Sequence, residues 1–246
     1  MSNQWIKGPA DRDAPMLLYC VPHAGGGGSF FRPWRAALEP YLGVCPVVLP
    51  GRESRLREPP YTSIDHLVPP LAAAISAHAD RPYALFGHSM GAVVAYETAR
   101  RLSAGPGGGP ARLFVSGRRA PHLPARRPDR HTLGADEFLP AVAALGGTPD
   151  EVLRRHDLMA LFLPGLRADF AVNETYRQLP GPPLRCPVSA FTGDADPEVD
   201  VVEMRSWADV TSAGFSLRVF SGGHFYLAGP PAELAEALLA DLAVRS

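Results

Sequence analysis

Lysine is almost missing from this sequence of 246 residues: Lys7 is the only one among 24 basic side chains. Arginine, 24 glycines and 27 prolines rise together along the whole chain, which reads as genomic base-composition bias. A net charge of -1 leaves no global field to concentrate nucleic acid or anionic lipid, so nonspecific DNA binding is excluded. Cysteine is scarce too. Cys20, Cys45 and Cys186 each lie in or beside an apolar run, an odd and scattered set that argues against a disulfide framework and for a reducing compartment. No Cys-x-x-Cys pair offers a structural zinc site. No stretch reaches the about 18 apolar residues a membrane span needs, and Met1–Pro15 is polar with no apolar core of a leader. A cytoplasmic protein with no membrane partner is expected.

What is present is enough apolar material, 46% of residues, to bury one sizeable core. Short β-branched or aromatic runs recur at Met16–Val21, Val44–Leu49, Tyr83–Phe86, Arg112–Ser116, Pro187–Thr192 and Ser216–Phe220, bordered by turn residues as strands are. Between most of them lie helical spacings at Phe31–Leu42, Ile64–Ala79, Met90–Leu102, Val199–Trp207 and Ala232–Val244. Alternation of this kind predicts right-handed crossovers and a mainly parallel, doubly wound sheet covered on both faces, the α/β class. One stretch breaks the rhythm. The gap between the strands ending at Ser116 and beginning at Pro187 is too long for a structureless loop. Helical patterns at Ala135–Leu145, Pro149–His156 and Leu158–Tyr176 place a helical insertion at 121–182 within a single domain spanning 1–246. Gly105–Pro110 reads as a surface loop.

Gly87-His88-Ser89-Met90-Gly91 follows one strand and opens a helix, which is G-x-S-x-G in the context it requires. A serine on so sharp a turn needs small neighbours two residues to either side. The alternative, a serine that merely caps a helix, would not need those glycines. An elbow serine needs a base, and in this architecture acid and histidine should follow in that order, each just beyond a strand. Asp194 and Asp196 follow Pro187–Thr192, and His224 follows Ser216–Phe220. Asp196 is the favoured acid, because the residue before a proline is held extended; Asp194 is the second candidate, with helix capping as its other role. Of eight histidines, His66, His78, His122, His131 and His156 read as surface or insertion residues. His88 adjoins the serine but would need a different topology to act as its base. After the first strand, Pro22-His23-Ala24-Gly25-Gly26-Gly27-Gly28 lets backbone N–H groups approach a developing oxyanion, with Ala24 and Met90 as the donors. That loop lacks the Gly-Lys-Ser/Thr ending of a nucleotide site.

With these motifs in order, the chain resembles the type II thioesterases, stand-alone editing enzymes of the α/β-hydrolase fold that serve polyketide and nonribosomal peptide assembly lines. The resemblance runs from about Leu17 to Leu242. It also rests on Leu49-Pro50-Gly51-Arg52-Glu53, Leu145-Gly146-Gly147-Thr148-Pro149 and Leu163-Pro164-Gly165-Leu166-Arg167-Ala168-Asp169-Phe170. It implies that Ser89, His224 and Asp196 form a triad hydrolysing acyl thioesters from the phosphopantetheine arm of an acyl or peptidyl carrier protein. The triad alone would equally serve an oxygen ester or an amide. Neither metal nor organic cofactor is called for.

The insertion would close over the site as a lid, with Leu158, Met159, Leu161, Phe162, Leu163 and Phe170 as apolar surface for an acyl pocket. Arg167 and Asp169 are expected to pair with each other. Arg118, Arg119, Arg126, Arg127 and Arg130 crowd one tract with only Asp129 against them, and either dock an acidic carrier or form a solvated loop. The rival functions are a carboxylesterase or lipase and, from another class, a non-catalytic carrier-binding subunit on a hydrolase scaffold. A releasing domain that cyclises product usually ends a multidomain chain, whereas this sequence starts at its own Met1.

Overall fold

The computed structural model describes residues 3–8, 13–146, 156–229 and 232–243, leaving aside the side chains of residues 156–158 and 160. Six strands form one sheet in the order β2-β1-β3-β4-β5-β6: β1 Leu17–Val21, β2 Gly43–Pro46, β3 Tyr83–His88, β4 Leu113–Ser116, β5 Val188–Gly193 and β6 Phe215–Phe220. Every pairing among them is parallel. Each expected strand is found within a few residues of its predicted place.

Alternation along the strands divides the core in two. From β1, Leu17, Tyr19 and Val21 face one cluster with Leu71 and Ile75 of α2 (Ile64–His78) and Val93 and Tyr96 of α3 (Met90–Ser103). Leu18 and Cys20 face the other, with Trp34 and Leu38 of α1 (Arg32–Leu38) and Leu234 and Leu238 of a C-terminal helix at Ala232–Asp241. A sheet apolar on both faces must be covered on both, and that is the doubly wound arrangement. α1 is shorter than the pattern Phe31–Leu42 suggested. Glu39 is extended because it precedes Pro40, and the helix stops there.

Between β4 and β5 lie α4 (Ala135–Ala143) and α5 (His156–Thr175). The helix expected at Pro149–His156 falls outside the described residues except for His156. The C-terminal half of α5 is anchored: Val172 joins the main core, and Leu166 and Phe170 pack on Phe138 and Val142 of α4. After β5 come α6 (Val201–Arg205), opened by a capping box between Asp200 and Glu203, and a 3₁₀ turn at Ser206–Val210. The helix at Ala232–Asp241 is α7. These crossovers bring the C-terminal ends of β1, β3, β5 and β6 to one edge of the sheet, which is where open α/β sheets build sites.

Candidate active site

Ser89 stands between β3 and α3 with φ 54 and ψ −119, a left-handed conformation that costs a non-glycine residue roughly 1–3 kcal/mol. Its N–H is tied to Ser116 O at 2.8 Å. The turn exists because its flanks have no side chains. A Cβ on Gly87 would collide with the backbone of Gly91, and one on Gly91 with the carbonyl of Val21. The structure thus puts a strained serine at the N-terminus of a 14-residue helix, where backbone amides point outward.

Two loops further along the sheet, the predicted acid and base meet. His224 Nδ1 lies 2.9 Å from Asp196 Oδ2 and 3.0 Å from Oδ1, with both side chains almost wholly buried. Asp194 instead accepts the Gly222 N–H at 2.9 Å from an exposed position. The two loops approach so closely that a Cβ on Gly193 would strike the Gly222 carbonyl. Ser89 and His224 line one cavity, together with Ala24, Val142, Leu145 and Phe170 and with the polar side chains of Arg130, Asn173 and Glu198. Ser89 also borders a second recess, on the side of Arg119, Arg126, Arg127 and Arg130. The Ala24 and Met90 amides find no protein acceptor among the described residues.

Three imidazoles gather here. His88 and His224 have ring centroids 4.8 Å apart, and those of His23 and His88 are 5.9 Å apart. Burial, followed by the nearby His224, pushes His23 down to about 3 and holds His88 well below the ordinary histidine range. Both are therefore neutral near pH 7. A positive charge forming on His224 would meet no like charge from these two imidazoles. A hydrogen-bonded chain fixes His88: Tyr226 Oη to Ser116 Oγ at 2.7 Å, then Ser116 Oγ to His88 Nδ1 at 2.9 Å.

Sequence reasoning missed several supports. Gly117, at φ +59, passes so near both rings that a Cβ would lie 2.7 Å from His88 Cε1 and 3.2 Å from His224 Cε1. Glu198 donates its N–H to Asp196 Oδ1 at 2.8 Å. Arg167 and Asp169 do not pair, since residues two apart on a helix point to different faces. Arg167 donates to the carbonyls of His131 and Leu133 and lies over the Phe138 ring. Asp169 turns inward and forms a two-pronged ion pair with Arg52 at 2.6 and 2.7 Å, both side chains buried. The apolar lining also differs from expectation. Phe170 borders the cavity and Met159 is buried, but Leu161 is 51% exposed and Phe162 39%, while Val142 and Leu145 of the α4 region supply lining instead. The Leu158 side chain lies outside the described residues.

Asp129, His131 and Glu174 group three potential metal ligands among the described residues, but Glu174 already accepts both the backbone N–H and Nδ1 of His131, at 2.9 and 2.8 Å. The glycine loop after β1 is unsuited to phosphate. Its Gly25 and Ser29 amides are taken by the carboxylates of Asp169 and Glu53, whose charge would repel an anion.

A family model for the thioesterase domain matches residues 17–242. The chain belongs to the thioesterase family. Among its relatives is thioesterase PikA5 of Streptomyces venezuelae, 42% identical over 92% of this chain and 81% of that protein. Another, from Brevibacillus parabrevis, is named linear gramicidin dehydrogenase LgrE and is 40% identical over 92% of this chain and 87% of its own length. In structure the chain resembles the type II thioesterase BorB of the borrelidin biosynthetic cluster, with a TM-score of 0.86 and 42% identity over 99% of this chain and 98% of that one. It is thus a thioester hydrolase with the α/β-hydrolase fold of this family. Among the described residues, no helix is long and apolar enough to cross a membrane.

Proposed function

We propose that this protein is an editing thioesterase of polyketide or nonribosomal peptide biosynthesis that removes stalled or aberrant acyl groups from the phosphopantetheine arm of acyl or peptidyl carrier proteins. The observation that carries this reading is the position of Ser89 between two adjoining openings that share Arg130, Asn173 and Glu198: one reaches the apolar side chains of Val142, Leu145, Phe170 and Phe225, and the other reaches Arg118, Arg119, Arg126 and Arg127. An acyl group suits the first, and the phosphate-bearing arm with its acidic carrier suits the second. The names of relatives and solved structures from such pathways support it as well.

In this reading His224 takes the proton of Ser89 Oγ as the oxygen attacks the thioester carbonyl, and Asp196 holds the Nδ1–H tautomer and the imidazolium that results. Ala24 N–H and Met90 N–H receive the oxyanion, aided by the positive end of α3. Collapse breaks the C–S bond, and His224 returns the proton to the departing thiol. Water then attacks the acyl-Ser89 ester with the same base, freeing the acid and the enzyme. A thiol leaves readily, and serine acyl transfer calls for no metal to polarise the carbonyl. The segment at 121–182 serves as a lid whose α4 and α5 wall the acyl cavity. Three buried, unpaired thiols fit a reducing cytoplasm.

A carboxylesterase reading would need faster turnover of oxygen esters than of carrier thioesters. The deciding experiment compares the same short acyl group on a carrier protein and on an oxygen ester, for wild type and Ser89→Ala.

A further inference from the structure

Three segments far apart in the chain close around the turn after β1. Gly26 N–H bonds to His23 O at 2.9 Å, making Ala24 and Gly25 the central residues of a four-residue turn, with Gly25 at φ +77. The central peptide of such a turn can flip between two orientations at modest cost, more easily still where glycines follow. Here it is held. Gly25 N–H donates to Asp169 Oδ2 at 2.7 Å, reaching across to the anchored half of α5. The same carboxylate takes both prongs of Arg52, and Arg52 Nη1 also donates to Gly26 O at 2.8 Å. Side-chain exposure is 8% for Arg52 and 4% for Asp169, so neither charge is screened by water. One residue further on, Glu53 secures the next part of the loop by accepting Ser29 N–H at 2.8 Å.

We propose that Asp169 is a positioning residue for transition-state stabilisation: by pinning the Ala24–Gly25 peptide it fixes the turn whose preceding peptide, His23–Ala24, offers its N–H to the oxyanion, and Arg52 neutralises the carboxylate. This rests on the reading of Ala24 as an oxyanion donor. The Ala24 amide precedes the pinned peptide directly and cannot rotate without straining the Gly26–His23 bond. Arg52 has a second task. A lone carboxylate behind the turn would oppose the negative charge that develops on the substrate oxygen, and the ion pair cancels that opposition.

The test uses the full chain with two variants. Arg52→Leu with Asp169→Leu removes both charges together, leaving no unpaired buried ion, and Arg52→Gln with Asp169→Asn also removes both while keeping an acceptor at 169. Three quantities are measured: kcat/KM on a short acyl N-acetylcysteamine thioester, the affinity of an alkylboronic acid whose serine adduct carries the oxyanion, and the affinity of the unreactive thioether analogue. The leucine double variant should lose about 100-fold in kcat/KM, the scale of one oxyanion donor, with a matching loss of boronate affinity and unchanged thioether affinity. The amide double variant, Arg52→Gln with Asp169→Asn, should regain most of that loss. Unchanged boronate affinity in the leucine double variant, or a thioether loss as large as the boronate loss, would overturn the proposal. Should the leucine double variant not fold, the amide double variant decides: kcat/KM and boronate affinity fall together by threefold or more, or the proposal fails. A boronate that binds Ser89→Ala as well as wild type would refute the site reading itself, a separate outcome.

Discussion

Glu198 gives its backbone N–H to Asp196 Oδ1 at 2.8 Å while Arg130 grips its carboxylate at 3.1 and 3.2 Å. Arg127 reaches the same carboxylate and the Pro197 carbonyl, and Arg126 pairs with Asp200 and Glu203. The arginine tract thus straps the loop that carries Asp196. Arg130 is 14% exposed and Arg127 52%, which separates the two roles open to the tract. Arg130→Gln should lower kcat on carrier-bound and small thioesters alike by several-fold, because the Asp196 loop loosens. Arg127→Gln should raise KM for the carrier substrate and spare the small thioester; equal effects of Arg127→Gln on both substrates would remove it from docking.

Asp194 and Asp196 are two residues apart but differ in what they hold. Asp196→Asn should cost about 10⁴-fold in kcat, since the amide cannot keep the tautomer of His224. Asp194→Asn gives up part of a bond to Gly222 N–H on the surface and should change kcat by less than threefold. Steady-state kinetics of the two variants checks this, and a reversed order would assign the acid to Asp194.

His23, pushed by burial to about 3, and His88, well below its ordinary value, make stability depend on pH. Below about pH 6.5 the unfolded chain binds protons at these imidazoles that the folded chain refuses, so unfolding becomes easier as pH falls. Each contributes a slope approaching about 1.4 kcal/mol per pH unit in that window. Carboxylates held low, such as Glu53 and Asp200, lose their contribution only further down, through the carboxylate range. Denaturant melts at pH 7.5 and 5.5 should show a clearly lower midpoint at 5.5; equal midpoints would mean these histidines are charged in the folded state.

Gly117→Ala should reduce both stability and turnover. The left-handed backbone penalises any side chain, by about 1 kcal/mol, and the new methyl would press on the rings of His88 and His224. The expected result is a lower melting temperature with a kcat loss larger than the KM change. A variant with full kcat would show that His224 tolerates displacement.

The sheet was legible because its strands are short apolar runs between turn residues, and the places of Ser89, Asp196 and His224 in the fold were legible because each follows a strand end that the alternation already locates. The cavity lining was harder to read. Helical periodicity says that Leu161 and Phe162 can pack, but the facing of α5 is set by the kink-prone Pro164 and by Gly165, whose Cβ would lie 3.0 Å from the Gly51 carbonyl. Arg52 and Asp169 were conspicuous as motif residues, yet their bond spans 117 positions and no local pattern reports a contact at that distance. A charged residue in an otherwise apolar turn was the one available signal, and it points to burial with a partner without saying which.

The central claim is that Ser89 releases acyl groups from carrier-bound thioesters. The direct measurement is release of a short acyl group from a carrier protein, against the same acyl group on a simple oxygen ester, for wild type and Ser89→Ala. The account predicts faster release from the carrier by wild type, and a folded Ser89→Ala with no turnover of either substrate. Faster cleavage of the oxygen ester would make the protein an esterase, and carrier release that survives Ser89→Ala would contradict the account outright.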